Sequence, residues 1–363
     1  MISNIKFHPS AVHNKHFRDL RKRVKLRVKC LPKKRTKSKK YVAFSLITVY
    51  VLVYLMSIHY LDNVLLFFAL YGILGLVAVL IFINIIHDAV HNAVFKEKWL
   101  NNAITYVFDI IGGNSFIWKK RHMLLHHNYQ NVVGWDSDIE QAGLIKIFPQ
   151  DRPNLVNRNQ HWLIFFLYPL YLINWILVRD FKDFFMKKRV IKKVCVIPVV
   201  EYFKLFAFKL IFLFYSIGIP LIKGVTFFIV IKAFLFMLCI GSVFALIFLL
   251  TPHANESNQF PNPDVAGALN ITWLEHQFCT TNDILLDNWF VRNLMGNFNF
   301  HLAHHLFPNI SSVYAPEITQ EIQKYAQEFS FRYKSHTLID ALKLHYRLIK
   351  TNALSVNLFE EDM

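Results

Sequence analysis

The chain has 363 residues, 54% of them hydrophobic and 35 of them phenylalanine, with a formal net charge of +17. That composition excludes an ordinary water-soluble two-domain enzyme and favours long lipid-facing segments. The basicity is local and does not point to nucleic acid: residues 1–40 hold 15 Lys or Arg against the one acid Asp19, which is +14 of the total.

So basic an N-terminal segment is assigned to the cytoplasm by the positive-inside rule, helped by anionic headgroups. Within it Leu20, Val24, Val28 and Leu31 share a helical face, while the alternation from Arg23 to Lys29 fits a strand equally well. No charged segment is followed by a short apolar run and a cleavage site, so a removable signal is not expected. Residues 41–60 predict a first membrane span. Residues 65–86 predict a second: 22 residues without a charge, roughly 33 Å of helix against a hydrocarbon core of about 30 Å. The apolar run 162–178 is short and holds Pro169, which predicts a helix at the interface, with a fifth span as the weaker alternative. Residues 205–222 and 225–250 predict two more spans, each with one lysine, Lys209 or Lys232, expected to snorkel or sit near an interface. Further on, Pro316 opens a helix with Ile318, Ile322, Tyr325 and Phe329 on one stripe, and Thr337 caps another bearing Leu338, Leu342 and Ile349. The four cysteines show no paired spacing, as expected of a reduced compartment.

The expected architecture is therefore all-α: four transmembrane helices in two hairpins with a cytoplasmic helical cap. Residues 1–40 form a basic tail, 41–350 a membrane domain and 351–363 a C-terminal tail. With the N-terminus inside, the second span re-enters the cytoplasm just before His87 and the fourth just before His253. Even parity places every histidine cluster on one face.

Those clusters are His87 and His91; His122, His126 and His127; and His301, His304 and His305. Neutral imidazole suits Fe, Cu and Zn, and eight exceed what one ion takes, so the spacing implies two metals side by side. At four-residue spacing His87 with His91, and His122 with His126, share a helical face, as do His301, His304 and His305; His127 is turned about 100° toward a neighbouring ion. A zinc protease would want HExxH, and position 88 is Asp. A non-enzymatic metal transporter would place ligands mid-span, where this chain has no histidine.

The three boxes, His87-Asp88-Ala89-Val90-His91, His122-xxx-His126-His127 and His301-xx-His304-His305, resemble in order those of the integral-membrane fatty acid desaturases. The similarity runs from about residue 41 to 346 and includes WLEHQFCTTN at 273–282, which resembles bacterial members of the linoleoyl-CoA or acyl-lipid branch. It implies a di-iron centre of two non-heme irons, held by the eight box histidines that carry catalysis and by His253 after the last span. It also implies a CoA- or lipid-linked fatty acyl substrate, dioxygen, and electrons from a ferredoxin or a separate b-type cytochrome with its reductase. The expected location is a bacterial cytoplasmic membrane with both termini cytoplasmic. Asp88, Asn131, Asp136, Asp138 and Glu256 are candidates to hold the imidazoles from behind, since ligating histidines usually donate their other N–H to an oxygen. His276 neighbours the site or contacts it. His8, His13, His16, His59, His161, His336 and His345 are expected to be solvated or interfacial, and Lys119, Lys120 and Arg121 to serve a headgroup or anchor the chain. The branch that installs bonds on the carboxyl side of existing ones usually has glutamine where His301 stands, and an HPGG heme signature absent from this chain, so that regiochemistry is not expected. A di-iron hydroxylase or ketolase shares the boxes and is the rival reading.

Reporter fusions at Met1 and Met363 should both give a cytoplasmic signal; a signal from the far side at either end would separate the third box from the first.

Overall fold

The computed structural model describes residues 5–140, 143–152 and 154–354, and these are mostly helical. Helix α1 (Ala11–Lys29) settles the helix-or-strand alternative: Ser10 caps it by accepting from the His13 N–H at 3.2 Å, and Leu20 and Val24 are fully buried. Five helices are long and apolar enough to cross a membrane: α2 (Lys34–His59), α3 (Val64–Val90), α6 (Leu155–Phe185), α7 (Val199–Ile222) and α8 (Phe227–Leu249). The short helices α4 (Lys98–Ile110) and α5 (Ser115–Arg121) lie between α3 and α6. After α8 come α9 (Trp273–Thr280), α10 (His301–Leu306), α11 (Ala315–Glu328) and α12 (Leu338–Leu354). Strand content is small: Lys6–Phe7 pairs with Ala268–Leu269, and Asp283–Leu285 with Ser335–Thr337.

Helices α3 and α8 form the centre of the bundle, and small residues set their separation. A Cβ at Gly75 of α3 would stand 2.1 Å from the Met237 carbonyl oxygen of α8, and one at Gly241 would meet the Gly75 oxygen at 3.1 Å. Close approach of this kind is what drives helix association where lipid removes the hydrophobic incentive. Lys209 of α7 does not snorkel. It is buried, donating to Asp180 of α6 at 2.7 Å and to the Gly112 carbonyl at 2.6 Å, because a partner inside the bundle satisfies the ammonium without a route to water. Lys232 is exposed.

At one end of the bundle α1 lays Leu20 and Val24 against Ile318 and Ile322 of α11. Arg23 adds a two-pronged bond to Glu328 at 2.5 and 3.0 Å. The segment read as a basic tail thus carries a packed helix and the first turns of α2. The expected stripe of α11 is buried as far as Tyr325, and Asp340 donates its N–H to the Thr337 hydroxyl at the start of α12. Of the proposed C-terminal tail 351–363, the part from 355 onward lies outside the described residues.

Two helices change pitch where the histidines begin. In α3 the turn Phe82–Ile86 is a π-helix, and a second π-turn, His122–His126, follows α5. Single π-turns re-aim the residues after them and concentrate at functional sites.

Gly75→Ala should lower the unfolding midpoint of the purified protein by an amount equivalent to about 1–3 kcal/mol, since the methyl meets rigid backbone. Gly72→Ala should cost less, because its Cβ would meet only the edge of the Phe236 ring at 3.0 Å, which can swing.

Candidate metal centre

All eight box histidines converge, and His253 joins them. Ring nitrogens of His87, His91, His122 and His304 lie within 4.8 Å of one another, and those of His126, His253, His301 and His305 form a second set of the same size. His127 adjoins both sets, its Nε2 3.1 Å from that of His122 and 3.0 Å from that of His304 in the first and its ring centroid 4.5 Å from that of His305 in the second. The expected faces hold, the rings of His122 and His126 stacking at 5.3 Å, but a shared face is not a shared set. His122 and His126, four apart, go to different sets, because the π-turn closes His127 N–H onto the His122 carbonyl at 3.0 Å and brings His127 round beside His122. In α10 the pair His301 and His305 stays together while His304 turns to the first set.

Three of these rings are held from behind by an oxygen facing Nδ1. Asp136 faces Nδ1 of His126 at 2.9 Å, Asp138 faces Nδ1 of His122 at 3.0 Å, and His253 donates Nδ1–H to the Thr280 carbonyl at 3.1 Å. A carbonyl can only accept, so Nε2 of His253 is a bare lone pair. Yet it points at Nε2 of His301 at 2.8 Å and of His305 at 3.0 Å. The Nε2 atoms of His87 and His91 are buried with no partner at all. Buried imidazole nitrogens that crowd one another, two of them with no partner, are the pattern that a cation satisfies, and the all-nitrogen donor set suits a first-row transition metal.

Electrostatics agree. Burial pushes His91, His122, His127, His253, His301, His304 and His305 well below the ordinary imidazole range, so all seven are neutral ligands-in-waiting. For His126 burial acts the same way but Asp136 outweighs it, and the net direction is up.

Of the residues read as supporting the imidazoles, Asn131 donates its backbone N–H to Asp136 at 2.9 Å and its side chain to the carbonyls of His253 and Gln259, each at 3.0 Å. It holds the second box and His253 in one register. Asp88 is buried beside His87, clamped by the Lys39 ammonium. Glu256 is exposed and takes no part. Arg121 is not a headgroup contact: it is fully buried, bonded to Asp183 at 2.7 Å and 3.4 Å from Asp138, so it steadies the carboxylate behind His122. Lys119 donates to Asn102 at 2.8 Å. His276 is fully buried outside both sets, 5.1 Å from the Phe7 ring, and burial pushes it down to about 3. His345 is likewise buried, because Tyr168 and the Ala254 carbonyl occupy its two nitrogens.

Three contributors escape the sequence reading. Lys39 sits among so many lysines that nothing marks it. Gln130 packs its amide against Nδ1 of His305 and donates to Gln277 at 2.6 Å. Both glutamines adjoin flagged stretches, Gln130 beside Asn131 and Gln277 within WLEHQFCTTN, which was the available signal.

Comparison with known proteins agrees with this geometry. A family model described as fatty acid desaturase matches residues 63–337. The chain is 32% identical over 270 residues to an sn-1 linoleoyl-lipid 6-desaturase of Synechocystis sp., covering 74% of this chain and 75% of that one. It is 31% identical to the protein of the same name from Arthrospira platensis, covering 76% and 74%. An acyl-lipid (8-3)-desaturase of Physcomitrium patens is 28% identical over 80% of this chain and 61% of its own length.

Asp136→Asn and Asp138→Asn should each weaken metal retention by roughly 10- to 100-fold, measured by chelator competition, while Glu256→Gln leaves it unchanged.

Proposed function

The chain belongs to the fatty acid desaturase family and is an oxidoreductase, and on that premise we propose that its nine converging histidines hold two irons for dioxygen-dependent insertion of a cis double bond into a lipid-linked acyl chain. The observation that carries this reading is the pair of four-nitrogen sets with His127 adjoining both. His87, His91, His122 and His304 would hold one ion and His126, His253, His301 and His305 the other. Bound iron supplies the oxidising power with dioxygen that an unactivated methylene requires. The balance is simple: two hydrogens leave adjacent carbons, two electrons and two protons arrive from outside, and dioxygen departs as two waters. No flavin or nucleotide motif is found in the chain, so a ferredoxin or a b-type cytochrome with its reductase is the proposed donor.

The protein's share is position and dryness. A cavity of about 40 Å³ lined by His126, His253 and Phe298 adjoins a second, of about 50 Å³, lined by Phe108, Ile111 and Ala245; Phe82, Trp175 and Leu249 border both. This apolar line supports an acyl chain threaded from the metals into the bundle between α3, α6 and α8, with water excluded from the reacting carbons. The lipid-linked form is favoured by the names of the relatives. The same names favour a bond toward the carboxyl end. Similarity over three quarters of the chain outweighs His301 and the missing HPGG signature, so we take that regiochemistry as the reading to test.

Parity supports four crossings with the cap and box histidines on one face, and the basic N-terminal segment and the relatives' organisms favour the cytoplasmic face of a bacterial membrane for it and for both termini. His126 and His253 share one set, yet α6, α7 and α8 separate them in sequence. Only an even number of crossings returns the chain to the same face. Helix α6, the least apolar of the three and interrupted by the tight turn Tyr168–Leu170 at Pro169, is the one read as lying along the interface.

Anaerobically purified protein should contain about two irons per chain, and His87→Ala, His126→Ala and His304→Ala should each abolish turnover while His336→Ala does not. Expression in a host of defined lipid profile, with mass spectrometry of derivatised methyl esters, reads the product: a hydroxylated or keto lipid without a new alkene would hand the assignment to the rival. Ala245→Leu should depress turnover of longer acyl chains by roughly tenfold or more relative to shorter ones; equal loss on both would remove the threading path.

A further inference from the structure

A large hollow lies away from the histidines. A groove of about 730 Å³ runs between α6, α8 and α12, floored by Ile164, Phe165, Leu246 and Ile247. Its walls are almost wholly apolar, and neighbouring Trp162 and Phe166 of α6 are 63% and 75% exposed. A single apolar trough of this size on a chain that lies in a bilayer takes a ligand with a hydrocarbon tail.

One rim is cationic. Lys343, Arg347 and Lys350 follow one another at spacings of four and three residues, so they share a face of α12, and all three are exposed. None is ion-paired with a carboxylate among the described residues. The nearest acid on the same helix, Asp340, is tied to the Thr337 hydroxyl at 2.7 Å.

We propose that this groove is a binding site for a resident anionic phospholipid, its acyl chain along Phe165, Leu246 and Ile247 and its phosphate on Lys343, Arg347 and Lys350. Charge complementarity selects this occupant over a neutral lipid, since each cation beside an anionic headgroup is worth about fivefold in local enrichment. The floor also explains why such a lipid would matter. His345 lines the groove, donates Nδ1–H to the Ala254 carbonyl and accepts from the Tyr168 hydroxyl at 2.6 Å. A lipid packed there braces α6 against α12 and, through that ring, the segment that presents His253. The proposal requires only that the chain lie in a bilayer, so it stands or falls separately from the iron and from the product.

The test uses the full chain reconstituted in mixed phosphatidylcholine and phosphatidylglycerol vesicles, extracted gently, with co-purifying lipid read by native mass spectrometry. Phosphatidylglycerol should be enriched at least about fivefold over the vesicle ratio. Combined Lys343→Gln, Arg347→Gln and Lys350→Gln should return it to that ratio with an unchanged unfolding midpoint. Val243→Trp, which fills the groove from the outer face of α8, should lower total retained lipid. Retention at the vesicle ratio in the unaltered protein, or enrichment that survives the triple substitution, overturns the site. More retained lipid after removal of residues 355–363 would assign the trough to the chain's own end. A new double bond appearing in the retained lipid during turnover would make it substrate and overturn its residence.

Discussion

Everything near the centre follows from one requirement: nine imidazoles are packed together, eight buried and His304 partly so, and each neutral ring brings one donor and one acceptor that burial does not forgive. Oxygens behind the site resolve the donors that the structure orients most clearly, with Asp136, Asp138 and the Thr280 carbonyl each facing an Nδ1. The lone pairs then converge on two small volumes. A pair of cations would satisfy them there. The loop around 131–138, helix α9 and helix α10 are where they are because this division between outward protons and inward lone pairs must hold.

Behind the oxygens lies a second set of constraints, made of buried ion pairs. Arg121 joins Asp138 to Asp183, which Arg189 also binds at 2.6 Å. Lys39 of α2 reaches Asp88 and Ser312, tying the first box to the segment after the third. Such pairs add little net stability once desolvation is counted, but removing one partner strands the other, so they hold the carboxylates to a single geometry. Lys39 lies outside the 63–337 region shared with the family, which makes this clamp a property of the chain's N-terminal part.

The membrane-facing part works by different physics. Lipid offers no hydrophobic reward for bringing α3 and α8 together, so glycine at 75 and 241 permits backbone contact. That contact aligns α3 so that its terminal π-turn delivers His87 and His91 beside the start of the loop after α8, where His253 stands.

By itself the sequence determined the family, the histidine clusters and most of the long apolar helices. Three histidine boxes need only their spacing to announce metal, and long uncharged runs need only their length to announce a helix suited to a bilayer, since both properties depend on near neighbours in the chain. Which imidazole joins which set was decided by tertiary structure: two π-turns rotate the rings after them, and nothing in His122-Met123-Leu124-Leu125-His126 signals the change of pitch. The partners of Lys39, Arg121, Lys209 and His345 were likewise invisible, because each is contributed by a residue at least 17 positions away. Periodicity reports the face of a helix. What that face meets is settled only when the helices pack.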